Sequence, residues 1–367
     1  MPTASVEASL ELRTHAGAFD ELEAWLCEQG FFAPGGEALV ADLYLGYGLS
    51  ETLRRQRTPS PPEPCATLPL LACALRGVRR DAPRGLVTQR HEAFDIGAWE
   101  RTWTPREYED AVEEVRAAIA RGDVYQVNLV QHLAAPFSGD PLAVAAVLGP
   151  LSPTRPAPLA GDGWAIVSAS PELLLARRGR RVWTMPIKGT RPAGAAGELE
   201  ASEKDAAEHV MIVDLERNDL SRICEPGTVR WPELMATRRL AGVEHLVSTV
   251  EGTLREGVRL AEILEAAFPG GSVTGAPKIA AVDLIAQLEP VGRGASMGAL
   301  GRIHGNGDLD LALTIRTFAI GEDRIHLWVG GGVVWDSNPA DEVEESWTKG
   351  RPLLEALGAT RVEEASE

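Results

Sequence analysis

Lysine is scarce in this chain, and its four positions are the first indication of chemistry. Of the 36 basic side chains, only Lys188, Lys204, Lys278 and Lys349 are lysines, and the other 32 are arginines. A coding bias toward arginine accounts for the ratio, but under such a bias the remaining lysines are enriched where arginine fails. Arginine stays protonated, whereas lysine can lose its proton and act as a nucleophile or base. All four lie in compact motifs after residue 187, which favours an enzyme.

Lys188 lies at the end of a predicted strand, in the segment PIKGT. The non-catalytic interpretation is a charged side chain that protects an exposed strand edge. To act as a nucleophile, its amine must be neutral, which costs about 4–5 kcal/mol at pH 7 unless burial or a cation lowers its pKa. Glu172, in SASPELLL, is expected to approach Lys188 across a hairpin at 178–180 and to serve as a general acid. His245 is alone on its strand, and its spacing is typical of a structural residue.

Carboxylates are grouped on two predicted helices. Glu342 and Glu345 share one face of the last helix, and Lys349 follows one turn later. The simpler interpretation is an acidic helix start and a surface ion pair. Glu208 lies in the middle of another helix, where burial would require a partner. Two or three such oxygens, with water and an anionic substrate, suit Mg²⁺.

The segment GGSVTGAPK resembles a phosphate loop only superficially, because Ala276 and Pro277 stand where a phosphate loop needs Lys and Ser or Thr. Free backbone N–H groups of Thr274 and Gly275 at the helix start would still suit a carboxylate. A tight turn without a ligand is an equally good interpretation.

The remaining pattern predicts an α+β protein with mostly antiparallel sheets. Gly122 ends a helix that begins at a Thr-Pro pair, and Ser202 with Asp205 starts another. Further helices are expected at 18–30, after the loop at 270–277 and from about Pro339. Strands are expected at 124–134, 163–170, 172–190, 242–254, 296–305, 309–320 and 324–336.

Charge and cysteine content exclude several classes of protein. The net charge of −17, without a separate basic stripe, argues against a nucleic-acid partner. An anionic substrate would be repelled unless local cations or a metal ion reversed the potential at the site. The four cysteines show no CxxC spacing, so we expect reduced thiols and a cytoplasmic location. No apolar stretch approaches the ~20 residues that cross a bilayer, and no secretory signal is expected.

Seven strings give the chain a family resemblance over about residues 103–358: GDVYQVNL, SASPELLL, PIKGTRP, KDAAEHVMIVDLERNDL, AAFPGGSVTGAPK, LTIRTF and GGGVVWDSNPADEVEESWTK. Together they resemble the chorismate-utilising enzymes. The resemblance implies large antiparallel sheets packed face to face with peripheral helices, and chorismate and Mg²⁺ between them. It also implies a chorismate-binding catalytic domain at 101–360, with residues 1–100 contributing to the same fold.

Two positions separate the members of this family. In the members that add water, a lysine stands at the position of Gln126, so the resemblance implies ammonia as the nucleophile here. Lys188 is similar to the lysine of aminodeoxychorismate synthases, where anthranilate synthases usually carry Ala. This implies a covalent Lys adduct at C2 of chorismate and then 4-amino-4-deoxychorismate, on the p-aminobenzoate branch toward folate. The alternatives are an anthranilate synthase component I or another aminating chorismate enzyme, and, from another class, a catalytically silent chorismate-binding regulatory subunit.

The resemblance also assigns roles by matched position. Glu172 is similar to the general acid, and His245 to a site histidine, which reverses its structural interpretation. Arg302 departs from the family, which often has Tyr there. The residues similar to Mg²⁺ ligands are Glu208, Glu345 and Glu342, and those similar to substrate-binding groups are Arg316, Lys349, Thr274, Gly275, Gly331, Gly332 and Gln126. None of the cysteines suits an amidotransferase nucleophile, so ammonia is expected from solution or from a glutamine amidotransferase partner.

Overall fold

The computed structural model describes residues 6–56, 58–77, 93–192, 194, 196–240, 243–359 and 362–363. Its helices are α1 (Ala18–Glu28), α2 (Pro105–Arg121), α3 (Pro141–Leu148), α4 (Ala196–Glu200), α5 (Glu203–Ser221), α6 (Leu260–Ala267), α7 (Lys278–Leu288) and α8 (Pro339–Ala356). Its strands are β1 (Val6–Leu12), β2 (Leu39–Leu45), β3 (Leu71–Gly77), β4 (Phe94–Ile96), β5 (Trp99–Arg101), β6 (Gln126–Gly139), β7 (Leu159–Gly161), β8 (Trp164–Ser168), β9 (Leu173–Arg178), β10 (Arg181–Met185), β11 (Ile187–Pro192), β12 (Arg230–Leu240), β13 (Val243–Thr253), β14 (Gly275–Ala276), β15 (Ala299–His304), β16 (Leu309–Leu313), β17 (Thr317–Gly321), β18 (Arg324–Val333) and β19 (Val362–Glu363).

These strands form two large sheets. Within the described residues, the larger sheet has ten strands in the order β1-β3-β2-β15-β16-β9-β10-β13-β11, and β12 also pairs with β13. The smaller sheet has nine described strands in the order β19-β5-β6-β18-β17-β8-β7, and β4 and β14 also pair with β6. Of the described strand pairs, β19 with β5 is parallel and the others are antiparallel. The predicted α+β class with antiparallel sheets is confirmed.

The helix boundaries follow the local sequence signals. Thr104 caps α2, because its hydroxyl accepts a hydrogen bond from the N–H of Glu107 and the carboxylate of Glu107 accepts one from the N–H of Thr104. The helix ends at Gly122, which has a φ of 79° that suits glycine. Ser202 caps α5 in the same way through the N–H of Asp205.

Two apolar clusters hold the layers together. The first lies between the sheets, where Leu43 and Leu311 of the larger sheet join Leu129 and Ile166 of the smaller one. The second contains Leu133 and Leu327 of the smaller sheet with Val144, Trp347 and Leu353 of α3 and α8. The smaller sheet is therefore covered on both faces, and its strands β6 and β8 are almost continuously buried. None of the described helices is long and apolar enough to cross a bilayer.

The chain passes between the sheets at two adjacent crossovers. Residues 169–172 connect β8 to β9, and residues 314–316 connect β16 to β17. The N–H of Ala169 donates to the oxygen of Arg316 over 2.9 Å, and the N–H of Leu313 donates to the oxygen of Glu172 over 3.0 Å. The two crossovers are thus hydrogen-bonded side by side. The first ends in the ionisable residue Glu172, and the second ends in the ionisable residue Arg316.

Several details differ from the sequence prediction, and three of them have a clear physical reason. The expected strand at 309–320 is interrupted at 314–316, because its two halves belong to different sheets. The strand β12 and the helix α6 were not predicted. Pro232 and the charged residues of β12 obscured its alternation, and α6 is only eight residues long.

A buried histidine pair in the smaller sheet predicts a measurable pH effect. His132 Nε2 lies 3.1 Å from His326 Nδ1, and burial lowers their pKa values to about 3 and about 4. The pKa of histidine in an unfolded chain is about 6.5. Below that pH the unfolded chain binds protons at these two histidines and the folded protein does not, so the free energy of unfolding falls. From pH 7 to pH 5, we expect the native protein to lose about 2 kcal/mol of unfolding free energy relative to His326→Gln.

Urea unfolding at both pH values measures this difference. A comparison between variants is needed because the raised pKa of Glu172 acts in the opposite direction. Replacement of the exposed His15 by Gln is the matched control, and it should follow the native protein. Equal pH dependence in the native protein and in His326→Gln would contradict the prediction.

Candidate active site

Glu172 lies at the end of the first crossover, and its side chain is buried. The hydroxyl of Ser272 donates a hydrogen bond to Glu172 Oε1 over 2.7 Å. Burial raises the pKa of Glu172 to about 7, against the opposing effects of the Ser272 hydrogen bond and the charge of Lys188. A carboxyl group that is about half protonated at neutral pH is suited to donate a proton to a leaving group.

Lys188 lies on β11 and faces the same region. Its Nζ donates to Glu208 Oε1 over 2.8 Å and to the backbone oxygen of Ser272 over 3.4 Å. Burial lowers the pKa of Lys188, but the negative charges around it, first that of Glu208, outweigh burial and raise the pKa above its ordinary value. Burial alone therefore does not give the neutral amine that sequence reasoning required. Deprotonation needs the surrounding negative charge to be compensated.

Glu208 of α5 connects the two sheets. Its Oε1 accepts hydrogen bonds from Lys188 of the larger sheet and, over 2.6 Å, from the side-chain amide of Gln126 of the smaller sheet. Gly332 permits this approach, because a Cβ there would lie 2.0 Å from Gln126 Nε2 and 2.6 Å from Glu208 Oε1. The sequence predicts all of these residues for the site, and the structure brings them together.

A second group of charges lies where α8 packs on β18. A Cβ at Gly331 would lie 3.1 Å from Glu345 Oε1, 3.2 Å from Lys349 Nζ and 3.4 Å from Glu342 Oε2. Lys349 Nζ donates to Glu345 Oε1 over 2.8 Å and to the oxygen of Gly330 over 2.9 Å. Glu342 is buried and Glu345 is exposed, so this group extends from the interior to the surface.

The three carboxylates of Glu208, Glu342 and Glu345 have the donor chemistry that Mg²⁺ prefers. Glu208 lies over Gly332, next to Gly331, which the other two carboxylates approach. Across the described residues, no three carboxylate, histidine or cysteine side chains are already close enough to hold a metal ion. The donor set fits the ion in its chemistry, and binding would have to bring the carboxylates closer together.

The glycine-rich segment before α7 is a tight turn. The hydroxyl of Thr274 donates to the oxygen of Gly270 over 2.9 Å, and its N–H donates to the oxygen of Gly271 over 3.3 Å. Gly275 has a φ of 140°, and a Cβ there would lie 2.1 Å from the oxygen of Gln126. The polar groups of Thr274 are engaged within the turn, so they would have to exchange partners to bind a substrate carboxylate.

Arg316 lies on the second crossover, with a left-handed φ of 51°. In the described part of the chain, its guanidinium has no hydrogen bond or ion pair. Burial lowers the pKa of Arg316, and the charge of Glu172 opposes this. A mostly buried cation without an anionic partner suits a ligand carboxylate, which arginine can bind through two parallel hydrogen bonds.

His245 of β13 lies beside this region. Its Nδ1 is 2.8 Å from the oxygen of Gly189, and because a carbonyl oxygen only accepts, Nδ1 carries the hydrogen. Burial lowers the pKa of His245, and the charge of Arg316 lowers it further, although the bond to Gly189 opposes both. The imidazole is therefore neutral at pH 7.

Comparison with known proteins identifies the family of this chain. A family model described as chorismate binding enzyme matches residues 69–355 of the chain. The chain belongs to the chorismate-binding enzymes. The match extends beyond the region of resemblance in the sequence and includes β3 of the N-terminal region.

The curated relatives of this chorismate-binding enzyme carry two different names. An anthranilate synthase component 1 from Streptomyces coelicolor is 41% identical over 71% of this chain and 53% of its own length. An aminodeoxychorismate synthase component 1 from Klebsiella aerogenes is 39% identical over 71% of this chain and 60% of its own length. The chain thus spans between about half and two thirds of the length of such relatives.

Solved structures agree on the fold. An anthranilate synthase component I from Streptococcus pneumoniae superposes with a TM-score of 0.73 at 28% identity, over 85% of this chain and 80% of that one. A menaquinone-specific isochorismate synthase from Escherichia coli gives a TM-score of 0.72 at 17% identity, over 96% and 84% of the two chains. At that identity the second comparison supports the architecture of a chorismate-binding enzyme alone.

Arg302, which departs from the family pattern, takes part in the larger sheet. Its Nε donates to Asp42 Oδ1 over 2.9 Å on the neighbouring strand β2, and Arg76 lies 2.7 Å from the other oxygen of Asp42. Among the described residues of this chorismate-binding enzyme, no hydrogen bond or ion pair joins Arg302 to the candidate site. Arg302 therefore pairs with a carboxylate of the sheet, that of Asp42.

Other polar residues around the site were missed or overestimated by sequence reasoning. Ser272 was quoted within the glycine-rich segment but received no role, because a single serine in a turn carries no spacing signal. Lys278 was singled out for chemistry, yet its Nζ pairs with Asp219 over 2.6 Å and fastens α7 to α5. The side chain of Lys204 lies outside the part that the structure describes.

Proposed function

We propose that this chorismate-binding enzyme aminates chorismate to 4-amino-4-deoxychorismate, with ammonia as the nitrogen donor. One observation carries the proposal: a partly buried amine, Lys188, and a buried acid, Glu172, meet at the same residue, Ser272. A nucleophile beside a proton donor is the arrangement that a substitution with a poor leaving group, such as hydroxide, requires.

In the proposed reaction, the neutral amine of Lys188 bonds to C2 of chorismate while both ring double bonds shift by one position and the bond from C4 to its hydroxyl breaks. Glu172 donates its proton to that hydroxyl, which leaves as water. Ammonia then bonds to C4, both double bonds return to their original positions, and the C2–Lys188 bond breaks. The surplus proton on the entering nitrogen returns to the acid, so one ammonia is consumed and one water is released.

Glu208, Glu345 and Glu342 are the residues that would hold Mg²⁺. When bound, the ion would supply positive charge that attracts the substrate carboxylates and compensates the negative charge around Lys188. This addresses the raised pKa of Lys188, because the carboxylates of Glu208 and Glu345 are among those that retain its proton.

The substrate carboxylates are proposed to bind at Arg316 and Lys349, with backbone groups of Gly275, Gly331 and Gly332 beside them. Thr274 shapes the turn that presents Gly275, and its amide would contribute after exchanging its partner. His245, neutral and oriented by Gly189, is proposed to contact the reacting ring. These local cations explain how a protein with a net charge of −17 binds a dianion.

Gln126 supports ammonia over water as the second substrate. Its amide lies between the sheets, bonded to Glu208, and it cannot act as the base that activates water. The names of the relatives include "component 1", and we propose that a glutamine amidotransferase subunit delivers ammonia to this chain. We also propose a cytoplasmic location and a role in p-aminobenzoate formation for folate.

A second candidate is the synthesis of anthranilate, which relatives from Streptomyces coelicolor and Thermus thermophilus favour by name. Lys188 supports the first candidate, because direct attack of ammonia at C2 would leave this amine without a role. A silent chorismate-binding subunit is disfavoured, because Glu172, Lys188 and the three carboxylates are all retained.

Product analysis tests the proposal. We expect chorismate, an ammonium salt and Mg²⁺ to give a product that releases p-aminobenzoate only after an aminodeoxychorismate lyase is added. Fluorescent anthranilate without the lyase would establish the second candidate instead. Chorismate binding without any turnover at saturating ammonia and Mg²⁺ would refute both candidates. Reactions without Mg²⁺ and with the Lys188→Ala variant are the matched controls.

A further inference from the structure

Ser272 occupies a special position between the two proposed catalytic groups. Its hydroxyl donates to Glu172 Oε1 over 2.7 Å, and its backbone oxygen accepts from Lys188 Nζ over 3.4 Å. Within the described residues, no other residue bonds to both side chains. Ser272 is itself buried, with 6% of its surface exposed, so water does not compete for its hydroxyl.

The turn that contains Ser272 is fixed on both sides. On one side, a Cβ at Gly271 would lie 2.7 Å from Leu215 Cδ2, so the backbone packs directly against α5. On the other side, Arg293 Nη1 donates to the oxygen of Val273 over 2.8 Å, and the hydroxyl of Thr274 bonds back to the turn. A turn held in this way gives the hydroxyl a defined direction.

We propose that Ser272 is a positioning residue that aims the carboxyl group of Glu172 at the leaving hydroxyl while Lys188 attacks. This inference deepens the proposed function and rests on it. A hydroxyl that donates to a carboxylate also favours the charged form, so Ser272 keeps Glu172 a stronger acid than burial alone would leave it.

Two variants separate the hydroxyl from the packing of the side chain. Ser272→Ala removes the donor, and we expect kcat to fall about 10- to 100-fold while KM changes little. The alkaline limb of its pH–rate profile should move up by about one pH unit, because Glu172 then holds its proton more tightly. Ser272→Thr keeps a hydroxyl and should retain the native pH profile and most of the native kcat.

The outcomes distinguish a positioning role from a structural one. An unshifted pH profile in Ser272→Ala, or an equal loss of kcat in Ser272→Thr, would overturn the inference. The matched control is Ser221→Ala, an exposed serine outside the site, which should behave as the native enzyme. Thermal unfolding of each variant checks that the fold persists.

A separate readout keeps the inference testable if the native chain turns over no chorismate. The protonation of Glu172 can be followed by infrared spectroscopy as the carboxyl band that disappears in Glu172→Gln. A higher midpoint of that band in Ser272→Ala than in the native protein supports the hydrogen-bond role even if the proposed reaction fails. Identical midpoints would refute it.

Discussion

Replacing Lys188 with alanine is expected to reduce amination of chorismate by about 10³-fold or more. The variant lacks the amine that is proposed to attack the ring, and no other lysine has its Nζ within the group formed by Glu172, Ser272 and Glu208 in the described structure. Chorismate should still bind, because its carboxylates are proposed to contact other residues. Steady-state kinetics with equilibrium binding separates the two effects.

The matched variant is Lys188→Arg, which keeps the positive charge beside Glu208 but cannot become a neutral nucleophile. If the covalent route is correct, Lys188→Arg should be as inactive as Lys188→Ala, and no adduct should be found by mass spectrometry of either quenched enzyme. Substantial turnover by the arginine variant would show that Lys188 contributes charge alone, and the covalent step would be abandoned.

Replacing Glu172 with glutamine is expected to lower kcat by about 10²- to 10⁴-fold. The amide keeps the size of the side chain and can still accept the Ser272 hydrogen bond, but it has no acidic proton to transfer to the departing hydroxyl. Because the acid must be protonated, the native rate should fall as the pH rises through about 7, the pKa of Glu172. That limb should disappear from the profile of the variant.

A second buried carboxyl group provides the control for this experiment. Glu216 accepts a hydrogen bond from Thr184 over 2.9 Å, and burial raises its pKa well above the ordinary value. The charge of Glu172 raises that pKa further, but Glu216 forms no hydrogen bond with Glu172 or Lys188 in the described structure, so its replacement by glutamine should leave the alkaline limb in place. Loss of the limb in Glu216→Gln, or its persistence in Glu172→Gln, would contradict the assignment of the acid.

Much of the fold was predictable because its signals are local. Thr104, Gly122 and Ser202 mark helix boundaries through bonds within a few residues, and alternation marks most of the strands. The interruption at 314–316 was not predictable in this way. It depends on which sheet each half of the segment joins, and that choice is made by partners that are distant in the sequence.

The candidate site was likewise predictable where its signals are local and unpredictable where they depend on distant residues. Residue types and family strings indicated Lys188, Glu172 and Glu208, and the structure brings them together. The protonation of Lys188 was not accessible from the sequence, because it depends on how many carboxylates lie near one amine. Ser272 was missed for a related reason, since its importance comes from two neighbours, Glu172 and Lys188, which lie 100 and 84 residues before it in the sequence.

The paired crossovers have a consequence for anyone who would redesign this catalyst. Glu172 and Arg316 lie on the two crossovers between the sheets, and the crossovers are hydrogen-bonded to each other. Lys188 comes from one sheet and Gln126 from the other. The candidate site therefore depends on both sheets and on the crossovers that connect them. It cannot be transferred to a scaffold with a single sheet, and a mutant library that varies one sheet must keep the other fixed.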